Sequence, residues 1–232
     1  MKKAPRFVIA ALVVLGVGLV AGPWAYINLI KDDAPDALAI DSTKSSDSTT
    51  ATAALTTANG EWKVAANADS VVGYRVKEIL FGQDTEGVGR TKDVEALLTI
   101  ADNSVTKGSF TVQMGTIMSD AGKRDAQFNN RIMDVATYPT ATFTLIQPIA
   151  LPEGAVSGEV ITAEATGDLT LRGTTKSVTF PIEAQVKGNS FTVVGNITIV
   201  FDEWGIPAPG IPGITVDPQG LLEFSLVFTQ AQ

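Results

Sequence analysis

Two residue types are missing outright from this chain of 232 residues, which has neither cysteine nor histidine. Their absence removes Ser-His-Asp and Cys-His nucleophile pairs and the usual structural zinc sites. No disulfide can form, so the fold must be held by a hydrophobic core large enough to do without one. Carboxylate chemistry stays open. Positive charge is also scarce, with 17 Lys and Arg against 25 Asp and Glu, a formal net charge of −8. Residues 1–60 hold five of each sign, which leaves 12 basic and 20 acidic residues beyond them, so the whole excess belongs to the remainder. A domain of that sign is a poor partner for nucleic acid, whose phosphates need the opposite one. The bland meaning of the excess is a solvated acidic surface.

One long uncharged run stands out, from Phe7 to Ile30 behind Lys2, Lys3 and Arg6. As a helix rising about 1.5 Å per residue it exceeds the ~30 Å of hydrocarbon in a bilayer. The basic flank favours a cytoplasmic N-terminus, and Trp24 and Tyr26 suit the membrane interface. The expectation is a single-pass transmembrane anchor over 1–30, with the rest of the chain extracytoplasmic. A cleaved signal peptide is the alternative, although "LVAGPWAYINLI" offers no small-x-small cleavage site. Residues 31–60 turn to Ala, Ser, Thr and Asp, with almost nothing bulky to bury, and read as a disordered tether.

From 61 to 232 the pattern is β. In "SVTFPIEAQV" Val178, Phe180, Ile182, Ala184 and Val186 share one face, opposite Ser177, Thr179, Glu183 and Gln185. "LEFSLVFTQ" alternates in the same way, with Leu222, Phe224, Leu226 and Phe228 together. Further strands are expected over 69–76, 90–101, 105–116, 140–150, 158–172 and 190–201, divided by turn-rich stretches. Pro181, inside an alternating run, marks an edge, end or bulge. About eight strands with one apolar face must close as a barrel or pack as a sandwich. The exception is "SDAGKRDAQFNNRIMD", where Phe128, Ile132 and Met133 recur at helical offsets behind Ser119 or Asp120 as N-cap; a short helix over one barrel end is expected. Tyr138-Pro139 reads as the turn that ends it. "RGTTK" (172–176) lacks the spacing of a phosphate-binding P-loop and reads as a hairpin turn. No motif calls for a cofactor or a metal.

Two blocks carry a resemblance to a known family. "KRDAQFNNRIMDVATYPTATF", through Arg124, Asp125, Phe128, Asp134, Tyr138, Pro139 and Phe143, resembles the signature of the YceI-like polyisoprenoid-binding proteins. "GDLTLRGTTKSVTFPI" is similar to a second family segment at Gly167, Leu169, Thr170, Gly173, Thr175, Lys176 and Val178, and "SVVGYRV" to the opening strand. The resemblance implies an all-β, eight-stranded antiparallel lipocalin-like barrel with one short helix, whose interior holds an isoprenoid or quinone-type lipid. The chain of that lipid is then expected against Tyr74, Phe110, Val112, Met114, Phe128, Ile132, Met133, Phe143, Phe180 and Phe224. Arg124, Arg172 and Lys176 are candidates for its head group. Glu78 stands where many relatives have His, and Phe201 where they have Arg. For Arg124, Asp125, Arg131 and Asp134 two roles stay open, head-group contact and stapling of the helix, whose termini favour an acid at the start and a base at the end. Two rival functions also stay open: a hydrolase using two carboxylates roughly 5–10 Å apart, and a structural or adhesive domain with a filled core.

Overall fold

The computed structural model describes residues 34–40, 57–65, 69–152, 155–209 and 213–231. The expected anchor over 1–30 lies outside them, and among the described residues no helix is long and apolar enough to cross a membrane.

Among the described residues the chain forms β1 (Gly60–Val64), β2 (Val71–Leu80), β3 (Gln83–Thr91), β4 (Val94–Ala101), β5 (Ser104–Gln113), β6 (Met118–Ser119), β7 (Thr140–Leu145) and β8 (Ile149–Ala150). Then follow β9 (Val160–Leu171), β10 (Thr174–Lys187), β11 (Ser190–Val200), β12 (Ile214–Val216) and β13 (Gln219–Gln230). Eight of these close a ring in the order β1-β4-β5-β7-β9-β10-β11-β13, with β13 returning to β1 through Trp62↔Gln230 and Val64↔Phe228. Every pairing is antiparallel. Closure removes the free edges that an open sheet of this size would leave. β13 pairs with β11 along one edge and is long enough to serve two partners along the other: its C-terminal end meets β1, while Leu221–Ser225 pairs with β2. β2 carries β3, and β3 meets β6, so the barrel is extended beyond β1 at one end.

The alternation holds where it was read. Phe180 faces inward and is buried, as are Leu226 and Phe228. Pro181 sits where β10 parts company from β11, whose pairing begins only at Ile182↔Gly195. β10 remains bonded to β9 throughout, so the missing N–H falls on the side without a ladder partner.

Several expectations need correction. Residues 90–101 are two strands, because the chain turns at Lys92-Asp93 and Asp93 N–H donates to Thr91 Oγ1 (2.9 Å). β5 ends at Gln113, and Met114–Thr116 form a 3-10 turn instead of a strand end. Residues 140–150 break after Leu145, and only Ile149–Ala150 rejoin, against β5. The helix is shorter than the span 119–134: α1 covers Gly122–Gln127 and passes into a π-helical turn at Phe128–Ile132. Its N-cap is Ala121, with no side-chain cap; Ser119 instead binds Asp125. It ends before Tyr138-Pro139, at Asp134, whose φ of 49° is left-handed. The tether 31–60 falls mainly outside the described residues. Its described parts are held to the barrel: Pro35 and Asp36 carbonyls accept hydrogen bonds from Arg75 and Arg90, and Gly60 opens β1.

Candidate functional site

The barrel is stoppered at the β1 end. Trp62 is fully buried, donates its indole N–H to the Ala58 carbonyl (2.8 Å), and meets Phe191 edge-on at 4.8 Å. Phe191 in turn stacks on Phe228 at 5.0 Å. Above this aromatic floor the interior does not close up. Two cavities, of about 160 and 440 Å³, both touch Val72, Val112, Ala141 and Leu222 and so adjoin one another across these side chains. Their sizes fall within or near the ~300–1,000 Å³ of small-molecule sites.

The lower cavity is walled by hydrocarbon. Phe110, Phe143, Phe180 and Phe224 come from four different strands and touch edge to face in sequence, at 5.8, 5.5 and 6.0 Å between centroids. Edge-to-face rings stiffen one another and leave flat faces for a chain. Leu145, Ile182 and Leu226 fill the wall between them. The upper cavity lies under α1 and the π-turn. Phe128 stacks on Tyr74 at 5.0 Å, and Met114, Ile132 and Met133 complete an apolar roof. Thus all ten residues expected against a lipid chain line one cavity or the other.

The charged groups all lie in the upper cavity's wall, whereas the lower one has Thr142 and Gln185 as its polar side chains. Arg124 reaches down from α1 and donates to Glu78 (2.9 Å) on β2, while its other arm holds Asp120. Burial acts to lower the Arg124 pKa, but Glu78 and Asp120 beside it outweigh that and hold it above its ordinary value. Burial is also what pushes the Tyr74 hydroxyl up to about 12, with nearby Asp125, Asp120 and Glu78 adding to the rise and Arg124 opposing it. Asp125 has the stapling role: 7 % exposed, it accepts both the N–H (2.9 Å) and the hydroxyl (2.6 Å) of Ser119. Arg131 is exposed, and its guanidinium reaches the Ala208 carbonyl at 3.5 Å.

The structure does not bring Arg172 and Lys176 to Arg124. Arg172 donates to the Gly205 carbonyl (2.6 Å) and lies over Tyr138, and Lys176 pairs with Glu203 (2.8 Å) and covers Trp204. Both fasten the 3-10 turn Phe201–Trp204 to the outside of the β9–β10 hairpin, and neither lines a cavity. Sequence reasoning missed Trp62 and Gln127. Trp62 sits in a five-residue strand next to a polar stretch, and only the burial of its ring exposes its role. Gln127, on α1, lines the upper cavity with its amide oxygen buried and unpartnered.

A closed antiparallel barrel with an apolar axial cavity, roofed by a short helix, defines a lipid-binding barrel. The model of the YceI-like domain matches residues 62–228, and the chain belongs to that family. No curated protein matches it. Among solved structures it is similar to BcnA of Burkholderia cenocepacia, at 21 % identity and a TM-score of 0.53, over 68 % of this chain and 95 % of that one. It is also similar to a polyisoprenoid-binding domain from Saccharophagus degradans implicated in plant cell wall breakdown, at 14 % identity and a TM-score of 0.58, over 73 % and 98 %. At these identities the likeness is one of fold.

Proposed function

We propose that the chain binds or carries a long-chain isoprenoid lipid or quinone in its barrel, held at an extracytoplasmic membrane surface by the run Phe7–Ile30. The observation that supports this best is the axial cavity: an unfilled space with four phenylalanines edge to face, in a barrel whose far end is stoppered by Trp62. Binding needs no chemistry. Each buried methylene contributes roughly 0.8 kcal/mol, so a chain threading both cavities gains affinity from length alone. A filled structural core fits this interior poorly. The carboxylate hydrolase is also disfavoured, because Glu78 and Asp120, the carboxylates that line the cavities among the described residues, grip the same guanidinium.

The test is native mass spectrometry of the intact chain extracted from the membranes of its host. We expect one long-chain lipid per protein, released on denaturation. An apo mass, with no uptake of polyprenol or menaquinone added afterwards, would refute the carrier reading.

A further inference from the structure

The polar wall of the upper cavity says what kind of head group it accepts. Every buried cation there is already matched. Arg124 spends one arm on Glu78 and the other on Asp120. Arg75, on the outer face of β2, donates through Nε to Glu223 (3.2 Å), through Nη1 to Glu86 (2.5 Å) and through Nη2 to the Pro35 carbonyl (2.6 Å). Lys123 is exposed at the rim and solvated. The lining holds Arg75, Lys123 and Arg124 against Glu78 and Asp120, and Arg75 is turned to Glu223, Glu86 and the Pro35 carbonyl, so Lys123 at the rim is the cation left to solvent. A phosphate brought in here would find only the solvated Lys123 at the rim to answer it, beside two carboxylates, in a largely apolar enclosure where such a charge is costly.

Neutral polar groups are in the opposite condition. The amide oxygen of Gln127 is buried, lines the cavity and has no hydrogen-bond partner. Tyr74, whose hydroxyl lies beside Gly89 of β3, lines the same cavity. An amide and a phenol can each donate to a carbonyl or accept from a hydroxyl. Buried polar groups are nearly always satisfied, and orphans at a cavity wall point to something that completes them. The lower cavity has its own orphan, the Gln185 amide oxygen, but there the amide nitrogen is already tied to the Gly158 carbonyl (3.0 Å).

We infer that the site selects amphiphiles whose polar end is an uncharged oxygen, a quinone carbonyl or a prenol hydroxyl, bound by Gln127 and Tyr74, and that it discriminates against phosphorylated prenyl lipids. This rests on the lipid-binding reading above and narrows it.

The experiment measures dissociation constants of the full chain for four probes with the same prenyl chain: a menaquinone, a polyprenol, a polyprenyl phosphate and the plain hydrocarbon. The quinone and the prenol should bind at least about tenfold tighter than the phosphate. Gln127→Leu and Tyr74→Phe should each bring the neutral lipids toward the hydrocarbon's affinity while leaving the hydrocarbon unchanged, a control that also reports an intact barrel. Glu78→Gln, which frees one arm of Arg124, should narrow the gap between phosphate and prenol. Phosphate binding as tight as prenol, or equal losses for prenol and hydrocarbon in the Gln127 and Tyr74 variants, would overturn the inference while leaving the carrier reading standing. Failure of all four probes to bind would remove both.

Discussion

At the scale of single residues, Tyr74 shows how one side chain serves fold and site together. Its ring packs between Phe128 and the backbone of β3, and it lines the upper cavity. Because burial favours the neutral phenol, its folded pKa of about 12 stands above the ~10 of an unfolded chain. For such a group the stabilisation is complete below pH 10 and is lost as pH rises from 10 towards 12, where the unfolded state has already released the proton. A spectrophotometric alkaline titration of the folded protein should therefore show a phenol ionising near 12, and that step should vanish in Tyr74→Phe. A titration with no such late step would contradict the burial of Tyr74. Asp125 makes the complementary point. Its charge was read as favourable at a helix start, and the structure gives it a stronger role, as acceptor of two hydrogen bonds that tie α1 to the strand before it.

At the scale of elements, β3 explains why one strand escaped the sequence. "QDTEGVGRT" has Val88 as its sole bulky apolar residue, so it shows no apolar alternation to read. Two positions on its inner face, Gly87 and Gly89, are glycines because other elements occupy the space. Gly89 lies opposite Tyr74, whose ring covers it, and a Cβ at Gly87 would stand 3.2 Å from Arg124 Nε. A glycine covered by a cross-strand aromatic is a device for keeping a sheet regular where a side chain will not fit. Gly89→Ala would place its methyl inside the Tyr74 ring and should cost about 1–3 kcal/mol. Gly87→Ala should cost less, since the arginine end can shift by a few tenths of an ångström. Urea unfolding of the two variants measures the difference, and an unchanged midpoint for Gly89→Ala would show that Tyr74 does not lie where it is described.

At the scale of the whole molecule, residues 34–40 are bonded to the barrel's outer face. Glu223 alternates outward from the barrel and yet is only 3 % exposed, between Arg75 and Arg90, whose remaining donors hold the Pro35 and Asp36 carbonyls. Residues 34–40 thus lie over an ionic cluster on the outer face of β2, β3 and β13. A chain beginning at 57 should be less stable than one beginning at 34 by about 1–3 kcal/mol, the cost of leaving buried donors unpaired. The two unfolding midpoints decide it, and equal values would make 34–40 a passive neighbour.

What the sequence determined by itself was whatever depends on periodicity and local chemistry. The two-residue alternation of "SVTFPIEAQV" and "LEFSLVFTQ" places Phe180 and Phe224 on the inner face wherever those strands lie, because side chains alternate regardless of partner. The helical offsets of Phe128, Ile132 and Met133 likewise mark the roof. Tertiary structure decided what depends on neighbours far along the chain. Trp62 became a stopper because β1 closes the ring between β4 and β13, a pairing that spans most of the sequence. Arg172 and Lys176, adjacent in sequence to inward residues, were turned to the outside by the hairpin and tied to Gly205 and Glu203. Arg124 was neutralised by Glu78, 46 residues away, a pairing that only the fold of β2 under α1 could create. Charge in a sequence is a property of a residue, whereas free charge at a site is a property of everything brought within a few ångströms of it.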